Sequence, residues 1–237
     1  MKPNELKSPF KWQERKILIH DRVWYVPDQY EDFASFSFPG WSHPLLFDQE
    51  RPVRLEFCSG NGAWIAAKAQ AHPDYNWVAV ERKFERVKRI WSKIKNYNLP
   101  NLLTVCSEGH RMTRHYVPDG SVQAVYINFP DPWPKKRHWK NRIVQIPFIH
   151  EVRRILQPGG VLTLVTDDAP YSRWMIDTLH KAAGFQSEYP DPYFVSEYPD
   201  YGTSFFEDLW RQKGKTIHYH AFRKLVLGVG IDDKSFA

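Results

Sequence analysis

From Pro52 onward, short runs of β-branched and aromatic residues alternate with longer stretches in which apolar residues recur at helical spacing. This pattern predicts βα units and a parallel sheet. Strands are expected at VRLEF (53–57), NWVAVE (76–81), LLTVC (102–106), VQAVYINF (122–129) and VLTLVTD (161–167). Helices are expected from about Gly62 through AWIAAKAQA, from Phe84 through FERVKRIWSKIKNY, from Pro147 through PFIHEVRRIL to Pro158-Gly159-Gly160, and through PYSRWMIDTLHKA, capped by Gly184. Proline suits a first helical turn and glycine the residue past a helix end. The alternation in TIHYHAFRKLVL predicts a late strand, antiparallel after the polar loop WRQKGK. Residues 1–50 show no clear period and read as a basic, aromatic arm, leaving one folded domain over 51–237.

Composition narrows the class. A chain of 237 residues that is 42% hydrophobic can bury one sizeable core. Lys and Arg outnumber Asp and Glu by 33 to 27, a modest excess that suits an anionic partner such as nucleic acid. Ten tryptophans leave rings beyond those a core needs, and stacking on bases is one use for them. Cys58 and Cys106 are too few for a disulfide framework and read as small core residues in a reducing cytoplasm. No apolar run reaches the roughly 18 residues of a membrane span, and MKPNELKSPFKWQERK lacks the apolar stretch of a signal peptide. The expectation is a protein neither membrane-spanning nor exported.

Chemistry gathers at the ends of the expected strands. The first leads into LEFCSGNGAW, where Gly60 and Gly62 allow close approach of backbone to a ligand. The spacing is not the G-x-G-x-x-G of dinucleotide sites. A carboxylate at Glu56 would repel a pyrophosphate and welcome a cation. Glu81 ends the second strand, about 20 residues past the glycines, where an acid can accept from both ribose hydroxyls. A ligand with a ribose, a positive sulfonium and a free amino group fits both acids, and S-adenosylmethionine has all three. Glu108, after the third strand, lies where an adenine edge would sit.

The fourth strand runs into INFPDPWPKKRHWKNR. In an open parallel sheet the carboxyl ends of the first and fourth strands flank the ligand crevice. Three prolines stiffen the loop and would hold Asp131 near a transferable methyl. Lys135, Lys136, Arg137, His138, Lys140 and Arg142 would line the entrance with positive charge, which suits a base embedded in phosphates.

The block NFPDPWPKKRHWKNR closely resembles the signature of bacterial tRNA (guanine-N(7)-)-methyltransferases, which modify the variable loop of tRNA. VAVERKFERV, IVQIPFIHEVRRILQPGG and TDDAPYSRWM are similar to further segments of that family. The resemblance implies a Rossmann-like class I methyltransferase fold of the α/β class, with an open, mainly parallel seven-stranded sheet and an antiparallel C-terminal edge. It implies S-adenosylmethionine contacts from Glu56, Glu81, Glu108 and Asp131, a catalytic role for Asp131, and tRNA or guanine contacts from Lys135 and Asp167. The family's Thr-x-x-Glu tail falls on TSFFE, where Glu207 aligns but the hydroxyl position lands on Ser204, with Thr203 one residue early. Cys58 stands where the family more often has glycine, which implies a bulkier turn. A cytoplasmic enzyme acting on tRNA, as monomer or homodimer, without a membrane or a metal, follows as the expectation.

Other readings compete. The basic run 135–142 alone could be a solvated face. His218 and His220 share a strand face and could ligate a metal, but no third ligand accompanies them. YPDPYFVSEYPDY offers rings that either stack on bases or pack. Asn128 invites comparison with the Asn-Pro-Pro-Tyr tetrads of amino-group methyltransferases, against which stand Phe129 and the aspartate between prolines. A non-catalytic RNA-binding protein on the same fold is the alternative from a different class, and retention of Glu56, Glu81 and Asp131 argues against it.

Overall fold

The computed structural model describes residues 1–14, 16–27 and 36–226. The N-terminal arm supplies β1 (Leu18–His20) and β2 (Val23–Tyr25), a hairpin turned by Asp21 and Arg22, whose φ values are 49° and 68°. Both turn residues at positive φ is the twist-matched hairpin geometry. The expected strands follow as β3 (Val53–Phe57), β4 (Asn76–Glu81), β5 (Leu102–Cys106), β6 (Val122–Asn128) and β7 (Leu156–Thr166). The sheet closes with β8 (Phe185–Ser187) and β9 (His218–Lys224). Leu227, the last residue of the expected tail strand, lies outside the described residues.

The described strands form one nine-stranded sheet in the order β1-β2-β5-β4-β3-β6-β7-β9-β8, parallel from β2 through β7 and antiparallel at β1, β9 and β8. The expected count of seven is met by β3 to β9 and is corrected to nine because the arm adds β1 and β2 at one edge. Val23, Trp24 and Tyr25 are buried, with β2 paired to β5. A three-residue strand carries too little pattern to be read from sequence.

Helices α1 (Ala63–Ala71), α2 (Phe84–Asn96), α4 (Ile146–Ile155) and α5 (Ala169–Ala182) occupy the expected places. Two more, α3 (Gly109–Tyr116) and α6 (Phe205–Gln212), were not expected. Their windows are short and polar, and each is held from its cap, Glu108 and Ser204. Pro158-Gly159-Gly160 does not end α4; Leu156 already starts β7, and the register shift between Val122 and Ala124 places this triplet in an irregular strand entry.

Strand alternation sorts the core into two layers. Val78 and Val80 join Met112, Phe148, Val152, Tyr171 and Met175 of α3, α4 and α5 on one face. Trp77 and Ala79 face Trp64, Ile65, Ile90 and Ile94 of α1 and α2 on the other. Each fully buried aliphatic or Phe side chain contributes about 1.5–3 kcal/mol, so both faces are firmly held. The central strand β3 has β4 on one flank and β6 on the other, which opens a crevice at its carboxyl end. Among the described residues, no helix is long and apolar enough to cross a membrane.

Candidate active site at the carboxyl ends of β3 and β6

Phe57 and Ile127 are register partners in parallel strands, so the Cys58 loop and the Pro130–Pro134 loop emerge side by side. Glu56 is buried at this edge, where its Oε1 accepts a hydrogen bond from Asn128 Nδ2 at 2.7 Å. Its Oε2 is buried with no hydrogen-bond partner among the described residues. Burial is the main reason its carboxyl is raised from 4.5 to about 7; Asn128 works against that rise and the nearby Glu81 adds to it. A buried carboxyl with an unused oxygen is suited to a cationic guest.

Glu81, also buried, organises the same loop. Its Oε2 accepts from the Gly60 N–H at 3.0 Å and lies 3.6 Å from the Arg86 guanidinium, while Oε1 accepts from the Lys83 N–H at 2.9 Å. The turn is bent through three left-handed residues, Cys58, Gly60 and Gly62, at φ 61°, 56° and 67°. Gly60 N–H is bound to Glu81 and Gly62 N–H to the Ser59 carbonyl at 2.8 Å, so both glycine amides are engaged within the turn. Glycine at 62 serves packing, because a Cβ there would come within 2.6 Å of Ile90 Cγ1. At Gly60 a Cβ would meet only the Cys58 carbonyl, 3.9 Å away, which leaves that backbone open to approach.

Cys106 is buried as expected, but Cys58 is exposed by area, a correction imposed by its turn conformation. Its thiol is nevertheless raised, by desolvation first and then by the carboxylates of Glu81, Asp131 and Glu56. Those three acids therefore surround one loop. Asp131 is exposed between Phe129 and Trp133, two non-glycine residues at φ 46° and 44°. Such backbone is costly without support. Support comes from the Phe129 N–H, which donates to the Val165 carbonyl at 2.9 Å, and from Arg142 Nε, which donates to the Pro132 carbonyl at 2.8 Å.

The basic run divides. Lys135, Lys136, Arg137 and Lys140 are exposed, most of them on a 3-10 turn over Lys136–Asn141. His138 lies flat on Trp133, with centroids 5.6 Å apart, and accepts from Arg137 Nε at 2.9 Å. Arg142 corrects the expectation of an entrance cation. It is buried, and its guanidinium sits 4.7, 4.9 and 4.8 Å from the rings of Trp139, Tyr171 and Trp174. Enclosed in this way, the charge faces rings and a carbonyl more than solvent.

Five more expected positions are Glu108, Asp167, Thr203, Ser204 and Glu207. Glu108 caps α3, its two oxygens accepting from the His110 and Arg111 N–H groups at 3.0 and 2.8 Å, so its carboxylate is turned to its own helix and not to an adenine edge. Asp167 follows β7 and meets Lys215 Nζ at 3.2 Å. In the tail, Ser204 is buried and its Oγ accepts from the Glu207 N–H at 3.1 Å, while Thr203 is exposed and outside the cap. Glu207 is buried, with Oε1 accepting from Tyr219 at 2.5 Å and from Arg211 at 3.1 Å, and with Oε2 lacking a partner among the described residues. Tyr201 lies between this tail and the Cys58 loop: burial raises its hydroxyl, Ser204 lowers it, and Glu56 and Glu207 raise it further.

Other candidates resolve into packing. Ser172 Oγ joins His218 Nδ1 at 2.8 Å and His220 Nε2 at 3.1 Å, and His220 Nδ1 bonds the Tyr193 carbonyl at 3.0 Å, so both histidines are engaged inside the sheet. Phe194 stacks on His218 at 3.8 Å and Tyr201 is buried, which favours packing for that aromatic segment. Asn128 donates its amide N–H to Glu56, and its Oδ1 is buried without a partner among the described residues. Sequence reasoning missed Tyr171, Trp139 and Trp174, because only their meeting around Arg142 connects them to the loop.

Residues 50–220 match a family model described as "Putative methyltransferase". The tRNA (guanine-N(7)-)-methyltransferase of Chlamydia muridarum (strain MoPn / Nigg) is 45% identical over 95% of this chain and 99% of its own length. That of Halorhodospira halophila (strain DSM 244 / SL1) is 35% identical over 75% of this chain and 77% of its own. Among solved structures, the 16S rRNA methyltransferase KamB aligns with a TM-score of 0.56 at 15% identity, over 75% of this chain and 90% of its own. A SAM dependent methyltransferase from Aquifex aeolicus aligns with a TM-score of 0.53 at 14% identity, over 74% of this chain and 82% of its own. At such identities these structures bear on the fold alone.

Proposed function

The chain belongs to the tRNA (guanine-N(7)-)-methyltransferase family, and from that premise we propose that it transfers a methyl group from S-adenosylmethionine to the 7-nitrogen of a guanine in the tRNA variable loop, in the cytoplasm. The observation that carries this reading is the gathering of Glu56, Glu81 and Asp131 around one strained loop at the shared carboxyl end of β3 and β6. The donor set fits the group: Glu56 offers an unpartnered oxygen to positive charge, and Glu81 keeps acceptor capacity for ribose hydroxyls. When bound, S-adenosylmethionine supplies an electrophilic methyl on a positively charged sulfur. Guanine N7 presents an in-plane lone pair and no proton, so no general base is needed. Positioning and electrostatics carry the acceleration. Asp131 holds the guanine N–H edge and offsets the positive charge that arrives on the purine. Lys135 and Arg137 take phosphates, His138 flanks the entrance, and Asp167, Ser204 and Glu207 form the far side of the guanine site. Arg142 and Thr203 take no part in substrate contact. The domain is proposed to span 51–237, with the arm bracing its β5 edge.

The direct test incubates the purified protein with bulk tRNA and methyl-labelled cofactor and analyses the nucleosides. Label in 7-methylguanosine is expected; label on an exocyclic amine or on adenine would refute the assignment.

Two further outcomes follow. Because burial lifts the Glu56 carboxyl to about 7, it is largely protonated and neutral below that pH, and a cationic ligand must displace the proton. Affinity for S-adenosylmethionine should therefore strengthen as pH rises through 7, with Kd falling by up to about tenfold per unit on the acid side and levelling above. Calorimetry across this range checks it, and the same slope persisting in Glu56→Gln would assign it elsewhere. Neutralising the exposed Lys135 should weaken tRNA binding and reduce the slope of log Kd against log salt by about one. An unchanged slope would remove Lys135 from the phosphate contacts.

A further inference from the structure

The loop carrying Asp131 cannot brace itself. Pro130, Pro132 and Pro134 have no N–H, so few local donors exist for its carbonyls, and its two left-handed residues, Phe129 and Trp133, store strain. Two anchors from outside bracket the acid. On one side the Phe129 N–H reaches Val165 in β7; on the other Arg142 Nε reaches the Pro132 carbonyl, one residue past Asp131. Arg142 is itself immobilised. Trp139, Tyr171 and Trp174 enclose its guanidinium, Trp174 Nε1 donates to the Val144 carbonyl at 2.7 Å, and Gln145 Nε2 donates to the Trp139 carbonyl at 2.7 Å. Tyr171 and Trp174 lie on α5, so the clamp ties the loop to the main helical layer.

We propose that Arg142 is a positioning residue for methyl transfer: it fixes the Pro132 carbonyl, and through it the Asp131 carboxylate, and makes no contact with RNA. This rests on the methyltransferase reading above. A cation withdrawn from water needs compensation, and three ring faces, one carbonyl and the nearby Asp168 carboxylate provide it. The arrangement needs arginine, since a planar guanidinium stacks against rings while aiming one N–H along its plane. An ammonium has neither property.

The conservative variant separates this role from phosphate contact. If Arg142 positions the loop, Arg142→Lys and Arg142→Gln both lower kcat on tRNA by about tenfold or more, while KM for tRNA and the salt slope stay within about twofold of wild type. If Arg142 instead met a phosphate, Arg142→Lys would behave like wild type and Arg142→Gln would lose about one unit of salt slope; that result overturns the proposal. Hydrogen exchange of the Phe129, Asp131 and Trp133 amides, followed by mass spectrometry without tRNA or cofactor, should speed up in both variants. Unchanged exchange together with unchanged kcat also overturns it. Should the Arg142 variants not fold, Trp174→Phe keeps every charge but loses the Val144 bond, and the same faster exchange and lower kcat are expected from it, with wild-type behaviour again contradicting the clamp. The exchange readout needs no activity, so a wild-type enzyme that fails to form 7-methylguanosine would refute the methyltransferase assignment while leaving the anchoring to be judged by exchange.

Discussion

Asp131→Ala is expected to lower turnover on tRNA by about 10²–10³-fold, the range measured when one preorganised electrostatic contact to a transition state is removed. The acid is exposed on a loop whose strain is borne by Phe129, Trp133 and their two outside anchors, so its side chain is free of structural duty. Thermal stability should therefore stay close to wild type. Affinity for S-adenosylmethionine should change by only a few-fold, since the buried acids Glu56 and Glu81 remain. Asp131→Asn preserves shape while removing charge, and should fall nearly as far because an amide cannot offset the charge developing on the purine. Steady-state kinetics with tRNA varied at saturating cofactor would measure the loss, and near-normal turnover in both variants would show that the carboxylate does not serve the transferred charge.

Glu81→Ala should act on the other substrate. Its carboxylate joins the Gly60 and Lys83 N–H groups and the Arg86 guanidinium, and it is the acid best placed for ribose hydroxyls. Removal loses charge-assisted bonds to the ligand and leaves the turn's own donors without an acceptor, together about 2–4 kcal/mol. Kd for S-adenosylmethionine should weaken by about 30- to 1,000-fold. The turn would also loosen, so melting should come earlier than in Asp131→Ala. Equilibrium dialysis with labelled cofactor gives the number; a Kd within about threefold of wild type would remove Glu81 from the binding site.

Much of this was legible locally. VRLEF, NWVAVE and LLTVC became β3, β4 and β5 with the expected bounds, because each is a short run rich in β-branched or aromatic residues closed by turn residues. The Pro-Asp-Pro-Trp block announced a rigid acid because proline restrains its own backbone wherever it stands. The β1–β2 hairpin, α3 and α6 were not legible; each is short and depends on pairing with β5 or on a single cap. Nor were the duties of Arg142, Glu108 and Glu207. In sequence Arg142 looks like Lys135 and Lys140, yet rings from α5 enclose it while the two lysines remain in water.

By itself, the amino-acid sequence determined the central parallel strands, where the chain must turn between them, and which acids stand at their ends, since these depend on neighbours a few residues away. Only the tertiary structure decided which charges face a ligand and which are spent on holding the protein together. A side chain's charge is solvated, paired or buried according to what distant segments bring beside it, and that is settled only when the sheet and its helices close around the crevice.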